Sequence, residues 1–274
     1  MDIELESKIN TSDFSFYQNA WLKKNRLSQS YKIRKDDANA LMKEKGLYVR
    51  NIYNWDKGTE SSFWFVIKDS FGGMDELPTK VRNQVRKSLK TYEFKIVSYE
   101  TMRDIGLELF NKSRERFGGS ELLFNESQWV ERLNRDEKND FWIGYDKESG
   151  KPASFAMNAI YDDYVDICTM GISPEFPNNT YPMYGLIYEI SRYYLEERNV
   201  PFICDGARSI TGHSNIQTVL EDKFKFRKAY CDVQVFYKSW LGVAVKLLYP
   251  VRHLIKNKKI SALLNQEAMA RGGM

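Results

Sequence analysis

The sequence predicts a mixed α/β (α+β) chain in which helices flank a mostly antiparallel central sheet. Three observations predict it. Apolar positions recur every four residues in DELPTKVRNQVRKSLKTY (75–92), which is a helical period. Three strand-like runs, 140–146, 151–163 and 164–173, follow one another with only turn residues between them, as in an antiparallel meander. Helix and strand patterns then alternate as far as residue 238.

With 274 residues, 42% hydrophobic and 28% charged, the chain can bury one large core or two modest ones. The stretch MDIELESKINTSDFSF is acidic where an export signal needs basic residues. No apolar run approaches the roughly 20 residues that cross a bilayer. Cys168, Cys204 and Cys231 are dispersed, so a reducing compartment is expected, and the cytoplasm is the default. His213 and His253 have no neighbouring Cys or carboxylate cluster, so no metal site is expected. Nucleophile-elbow, Walker and Rossmann motifs are absent. Residues 241–274 hold six Lys or Arg against one Glu, and the remainder holds 35 basic and 36 acidic residues. A general nucleic-acid binder would spread its positive field over a folded face instead.

Taken in order, a helix is expected at Phe14–Leu27, then strand-like runs at Ser30–Arg34, Leu47–Trp55 and Ser62–Lys68, with a short helix near Asp36–Lys45. The helix at 75–92 has Asp75 and Glu76 at its positive end and Pro78 in its first turn. Leu77, Val81, Val85 and Leu89 form its buried stripe, and Arg82, Arg86 and Lys90 form a basic one. A strand at Glu93–Tyr99 and helices near 102–117 and 127–135 precede the meander. After it come a helix at 180–199, a short strand at 201–204, a helix near 214–224 and a long strand at 227–238. Residues 241–269 read as terminal helices broken at Pro250.

From residue 93 the order is β-α-α-β-β-β-α-β-α-β, which resembles the GNAT superfamily. A local signal agrees. NIQTVLEDKFKFRKAYCDVQVFY (215–237) is similar to the closing GNAT segment, where a helix leads into a Lys-x-Gly-Phe-Arg turn; Lys223, Phe226 and Arg227 match, and Lys225 replaces the glycine. The basic helix LPTKVRNQVRKSLK (77–90) resembles the one preceding the transferase half of FemAB-like proteins. The resemblance covers roughly residues 75–240 and implies a GNAT-like domain there. It also implies a degenerate GNAT-like half at 1–74, with 241–274 as a basic helical tail. It further implies transfer of an acyl group from acetyl-CoA or another acyl-CoA, or of an aminoacyl group from charged tRNA. The acceptor would be an amine on a small molecule, an amino sugar or a cell-envelope precursor.

The usual glycine-rich loop that cradles the acetyl-CoA pyrophosphate is missing. The equivalent junction reads SPEFPNNTYPMYG (173–185), with its glycine late, and Asn179 and Thr180 offer polar side chains instead. Glu221 stands where many GNAT enzymes carry a Tyr general acid. FemAB-like proteins also lack that loop.

Within CDGARSITGHSN (204–215) a strand delivers polar groups at its C-terminal end, where open α/β sheets bind ligands. Asp205 or His213 is the candidate general base, and Arg208 the candidate clamp for a carboxylate or phosphate. The alternative has Asp205 bonding loop amides, His213 in solvent, and Asn215 capping a helix. Asn158 and Asp166 on the meander, with Tyr181 and Tyr237, are candidate substrate contacts. Met170, Gly171 and Ile172 are expected to run along the donor. The C-terminal helices, apolar on one side and lysine-rich, either rest on an anionic membrane or cover the sheet. A non-catalytic binding module anchored by this tail is the competing reading of the whole chain.

Overall fold

The structure, a computed structural model, describes residues 9–115, 123–136, 138–208 and 216–272. The chain forms two compact units: residues 1–65, 207–214 and 228–274 make the first, and 66–206 with 215–227 the second.

In the first unit, β1 (Phe14–Tyr17) and β2 (Ala20–Lys23) pair antiparallel, β2 runs parallel to β3 (Tyr48–Tyr53), and β3 pairs antiparallel with β10 (Arg227–Tyr237). The first of these pairs replaces the helix expected at 14–27. Gln18 and Asn19 take φ values of 47° and 63°, the geometry of a two-residue hairpin turn, and Phe16 stacks edge-on against Trp21 across it. Ala20 and Leu22 are buried with the half-buried Trp21 between them, a strand period that ends at Lys23, which is buried by its ion pair with Asp13.

The strand expected at Ser30–Arg34 is extended but unpaired in any ladder, and its sheet partner is a side chain. Gln234 Nε2 donates to Ile33 O at 3.2 Å, and Ile33 N–H donates to Gln234 Oε1 at 3.0 Å. Helix α1 (Lys35–Met42) buries Ala38, Leu41 and Met42 against Phe14, Ile33 and Val49.

β4 (Phe63–Lys68) carries the chain into the second unit. There α2 (Thr79–Thr91) buries Val81 and Val85 as its four-residue period requires, and Pro78 stands at its N-cap. β5 (Tyr92–Val97), β6 (Asn139–Asp146), β7 (Pro152–Ile160) and β8 (Val165–Ile172) pair antiparallel in chain order, which is the expected meander with an added edge. The parallel strand β9 (Ile203–Ala207) follows beside β8.

α3 (Tyr99–Glu115) and α4 (Glu126–Leu133) cover one side of this sheet through a core of Met102, Leu109, Phe110, Trp129, Phe141, Ile143 and Phe155. Each such side chain contributes about 1.5–3 kcal/mol by leaving water. α5 (Pro182–Arg192) is buried nearly all round, so it reads as apolar rather than amphipathic, and it continues into a π-helical turn at Tyr193–Glu197. α6 (Ile216–Phe224) precedes β10.

α7 (Ser239–Leu248), a 3₁₀ turn at Tyr249–Leu254 and α8 (Lys258–Ala270) complete the first unit, broken at Pro250 as expected. α8 is tied down by Leu264, Ala268 and Met269 in the core and by Ser62 Oγ donating to Met269 O. No helix among the described residues is long and apolar enough to cross a membrane.

Candidate functional site

The main feature of the second unit is the way β8 and β9 part. Being parallel neighbours, they share only the register pairs Val165↔Ile203 and Asp166↔Cys204. Beyond these, Ile167 and Thr169–Ile172 keep their pairing with β7 and have no register partner on β9 among the described residues.

A local cause is visible in the ladder. The β7–β8 register shifts so that Met157 faces Thr169 while Asn158 faces Ile167, which leaves Cys168 as one extra residue on β8. Such a bulge bends its strand and adds twist. It lies two residues beyond the last pair with β9, so β8 turns away where β9 continues. The resulting open edge can accept an extended ligand as a strand would be accepted. Met170, Gly171 and Ile172 lie on this stretch. Gly171 has a steric reason as well, since a Cβ there would come within 2.2 Å of the Phe155 ring and 2.8 Å of Ser113 Oγ.

Asp205 follows the last paired residue of β9. Burial pushes its carboxyl up to about 8, the nearby Asp166 charge adds to the effect, and a hydrogen bond with Gln217 at the start of α6 opposes it. Asp166 is itself buried on β8. An acid held near neutrality by partial burial and a second carboxylate can take and release a proton under working conditions.

Positive charge approaches β8 from the helical side. Arg132 on α4, only 8% exposed, donates from Nη2 to Thr169 Oγ1 at 2.7 Å and reaches Asp136 only at 4.0 Å. Arg114 on α3 lies 4.7 Å over the Phe110 ring, and its ionisation is lowered by burial and by the Arg132 charge. Neither arginine stood out in the sequence, because each sits singly in an amphipathic helix.

At the start of α5 the chain makes a 3₁₀ turn, Asn178–Thr180, and Tyr181 enters the helix at φ 55°. Pro182 has no N–H, and the N–H groups of Tyr184 and Gly185 both bond Tyr181 O, which leaves at most that of Met183 for an anion. Asn179 is exposed, and Thr180 Oγ1 is engaged by Pro177 O and by Tyr92 Oη at 2.6 Å. The late glycine, Gly185, serves packing, since a Cβ would meet Ser88 Oγ at 2.3 Å and Phe94 at 2.6 Å. The acyl-CoA pyrophosphate cradle therefore has no counterpart in these residues.

The remaining candidates separate. Asn158 donates to Tyr194 Oη at 3.3 Å, in a buried network where Tyr194 also accepts from Trp142 Nε1 and donates to Asp140 Oδ2 at 2.8 Å. Burial, then the Asp140 charge, drives the Tyr194 hydroxyl well above its ordinary ionisation range. Sequence reasoning missed this network, because Tyr194 reads as one more core position of a long helix; the π turn is what aims it. Tyr181 stacks with Tyr184, whose Oη accepts from Lys223 Nζ at 2.5 Å.

Arg208 and Tyr237 belong to the first unit. Arg208 donates from Nη1 to Ser62 O at 2.8 Å and lies 4.2 Å over the Trp64 ring. Tyr237 donates to Glu267 Oε2 at 2.9 Å. His213 and Asn215 lie outside the described residues. Among those described, no group of His, Cys, Asp and Glu is arranged to hold a metal ion.

No protein-family model matches this sequence, and no curated protein does. Solved structures do share its fold. A crystal structure of FemX superposes with a TM-score of 0.55 at 11% identity, over 88% of this chain and 85% of that one. The C-terminal domain of a putative lysylphosphatidylglycerol synthetase from Agrobacterium fabrum gives 0.50 at 12% identity, over 85% and 82%. The chain thus has a GNAT-like fold of the FemAB-like kind.

Proposed function

We propose that this chain is a transferase that moves an aminoacyl group from an ester donor, of the charged-tRNA type, to an amine. The observation that carries the reading is the parting of β8 and β9 immediately beside a carboxyl raised to about 8. The donor lies extended along Ile167–Ile172, paired with the open edge, and the acceptor amine meets its carbonyl beside Asp205. The amine nitrogen attacks the carbonyl carbon and forms the amide bond as the ester C–O bond breaks. The proton passes from nitrogen to the Asp205 carboxylate and on to the departing oxygen. Arg114 and Arg132 supply the charge for a carboxylate or phosphate on the acceptor, the chemistry of an amino-sugar or cell-envelope precursor. One fold neighbour is named as the C-terminal domain of a putative lysylphosphatidylglycerol synthetase, a name that fits an aminoacyl donor and a phosphate-bearing acceptor.

An acyl-CoA donor is disfavoured by the engaged or missing donors at the start of α5. Two measurements test the reading together. Label on aminoacyl-tRNA is expected to move to an amine in a panel of amino sugars and lysyl peptides, and Asp205→Asn to slow it about a hundredfold or more. Acetyl-CoA is expected to leave the melting midpoint unmoved. Strong stabilisation by the thioester, with no transfer from any charged tRNA, overturns the donor. Transfer at full rate in Asp205→Asn overturns the base.

A further inference from the structure

We propose that α7 and the turn after it form a docking surface for an anionic lipid bilayer, a role separate from acyl transfer and not dependent on it. A helix on a folded domain ordinarily turns its apolar face inward. α7 does the reverse. Trp240 is 62% exposed and Leu247 72%, and Leu254 in the following turn is 68% exposed. At 3.6 residues per turn, Trp240, Val243 and Leu247 fall within an arc of about 60°. Val245, on the opposite side, is the residue of α7 that is buried. Val251 and Leu254 continue the same spacing and are exposed as well. A contiguous apolar strip of this kind marks an interaction surface, not ordinary surface scatter.

Charge selects the occupant. From Lys238 to Gln266 the sequence has six Lys or Arg (Lys238, Lys246, Arg252, Lys256, Lys258 and Lys259) and no Asp or Glu. Lys246, Lys256, Lys258 and Lys259 are exposed beside the strip. A second copy seated on this face would bring two such cationic rims together, which opposes self-association. A bilayer bearing anionic headgroups satisfies both features at once: the apolar strip enters the headgroup boundary and the lysines meet phosphate. Trp240 suits that boundary, having an apolar body and a polar N–H.

The strip is not a structural necessity of the first unit. α8 reaches its core through Leu264, Ala268 and Met269, whereas Trp240, Leu247 and Leu254 leave most of their surface in water. Their replacement therefore changes docking without unfolding the chain.

The test is co-sedimentation of the full chain with phosphatidylglycerol vesicles and with phosphatidylcholine vesicles, at low and at physiological salt. Each cation near an anionic surface strengthens binding about fivefold, so phosphatidylglycerol is expected to bind at least about tenfold more tightly than phosphatidylcholine and to weaken with salt. The double variant Trp240→Ser/Leu247→Ser is expected to lose about tenfold or more of this binding with an unchanged melting midpoint. The proposal is overturned if the chain stays in the supernatant with both vesicles, or binds both equally. It is overturned also if the native chain is a concentration-dependent dimer that the double variant makes monomeric, since the strip is then an interface between copies.

Discussion

Replacing Asp205 by Asn isolates one proton, and the structure gives its thermodynamic sign. In the unfolded chain an aspartate ionises near its ordinary 3.8; in the folded chain Asp205 holds its proton until about 8. Between these values the folded state binds more protons than the unfolded state, so stability falls as pH rises. The decline is about 1.4 kcal/mol per pH unit, and it reaches roughly 4 kcal/mol by pH 7. Below about pH 4 the penalty is absent, and above about pH 8 it is complete. Asparagine keeps the shape and a hydrogen bond for Gln217 but cannot ionise. Urea unfolding of the two proteins at matched pH values from 5 to 8 cancels every other titrating group in their difference. The variant is expected to gain on the native protein by about 1.4 kcal/mol for each pH unit up to about 7.5. A difference that does not change with pH shows that the carboxyl ionises normally, and removes the reason for assigning it as a base. In the proposed reaction transfer depends on the ionised form, so activity in the native protein is expected to climb toward pH 8 over the range in which stability declines.

Gly185→Ala gains about 1 kcal/mol of helix propensity but forces a Cβ into Ser88 and Phe94, at an overpacking cost of about 1–3 kcal/mol or more; a lower melting midpoint is expected, and an unchanged or higher one contradicts the close packing of α5 on α2. Lys225 takes φ 61°, a left-handed conformation that favours glycine, so Lys225→Gly relieves a strain of about 1–2 kcal/mol, less the added freedom of the unfolded chain. A net stabilisation of about 0.5 kcal/mol in urea unfolding is expected, and a loss contradicts the left-handed geometry.

Much of the fold was legible because its signals are local. The four-residue stripe of Val81 and Val85 and the turns between 140 and 173 each need only a short window of chain. The first 34 residues misled for a physical reason. Gln18 and Asn19 turn the chain with positive φ although neither is glycine, and Ile33 takes its backbone partner from Gln234, two hundred residues away. The site divided in the same way. Asp205 was visible as a charged residue at the end of an apolar run, whereas its neutralising setting comes from burial and from Asp166 on another strand. Arg114 and Arg132 acquire meaning only once α3 and α4 are laid on the sheet.

The glycines give the last step. A fold of this kind can lose a phosphate cradle and still keep its cleft, provided different residues maintain the two. Gly171 and Gly185 stay where a Cβ would strike Phe155 or Phe94, so they hold α3 and α5 close to the sheet. The parting of β8 from β9 begins just before the Cys168 bulge, which needs no glycine. At the head of α5 a proline stands at the first helical position and a left-handed tyrosine caps it, so few backbone N–H groups are left there for an anion, while the strand edge of β8 stays open. In the proposed reaction such a molecule aligns an extended donor and an amine without a helix-end grip on a pyrophosphate. That combination favours, as the proposed donor, an ester carried by a large polyanion and held over a broad surface, and not a thioester held by its phosphates at one helix end.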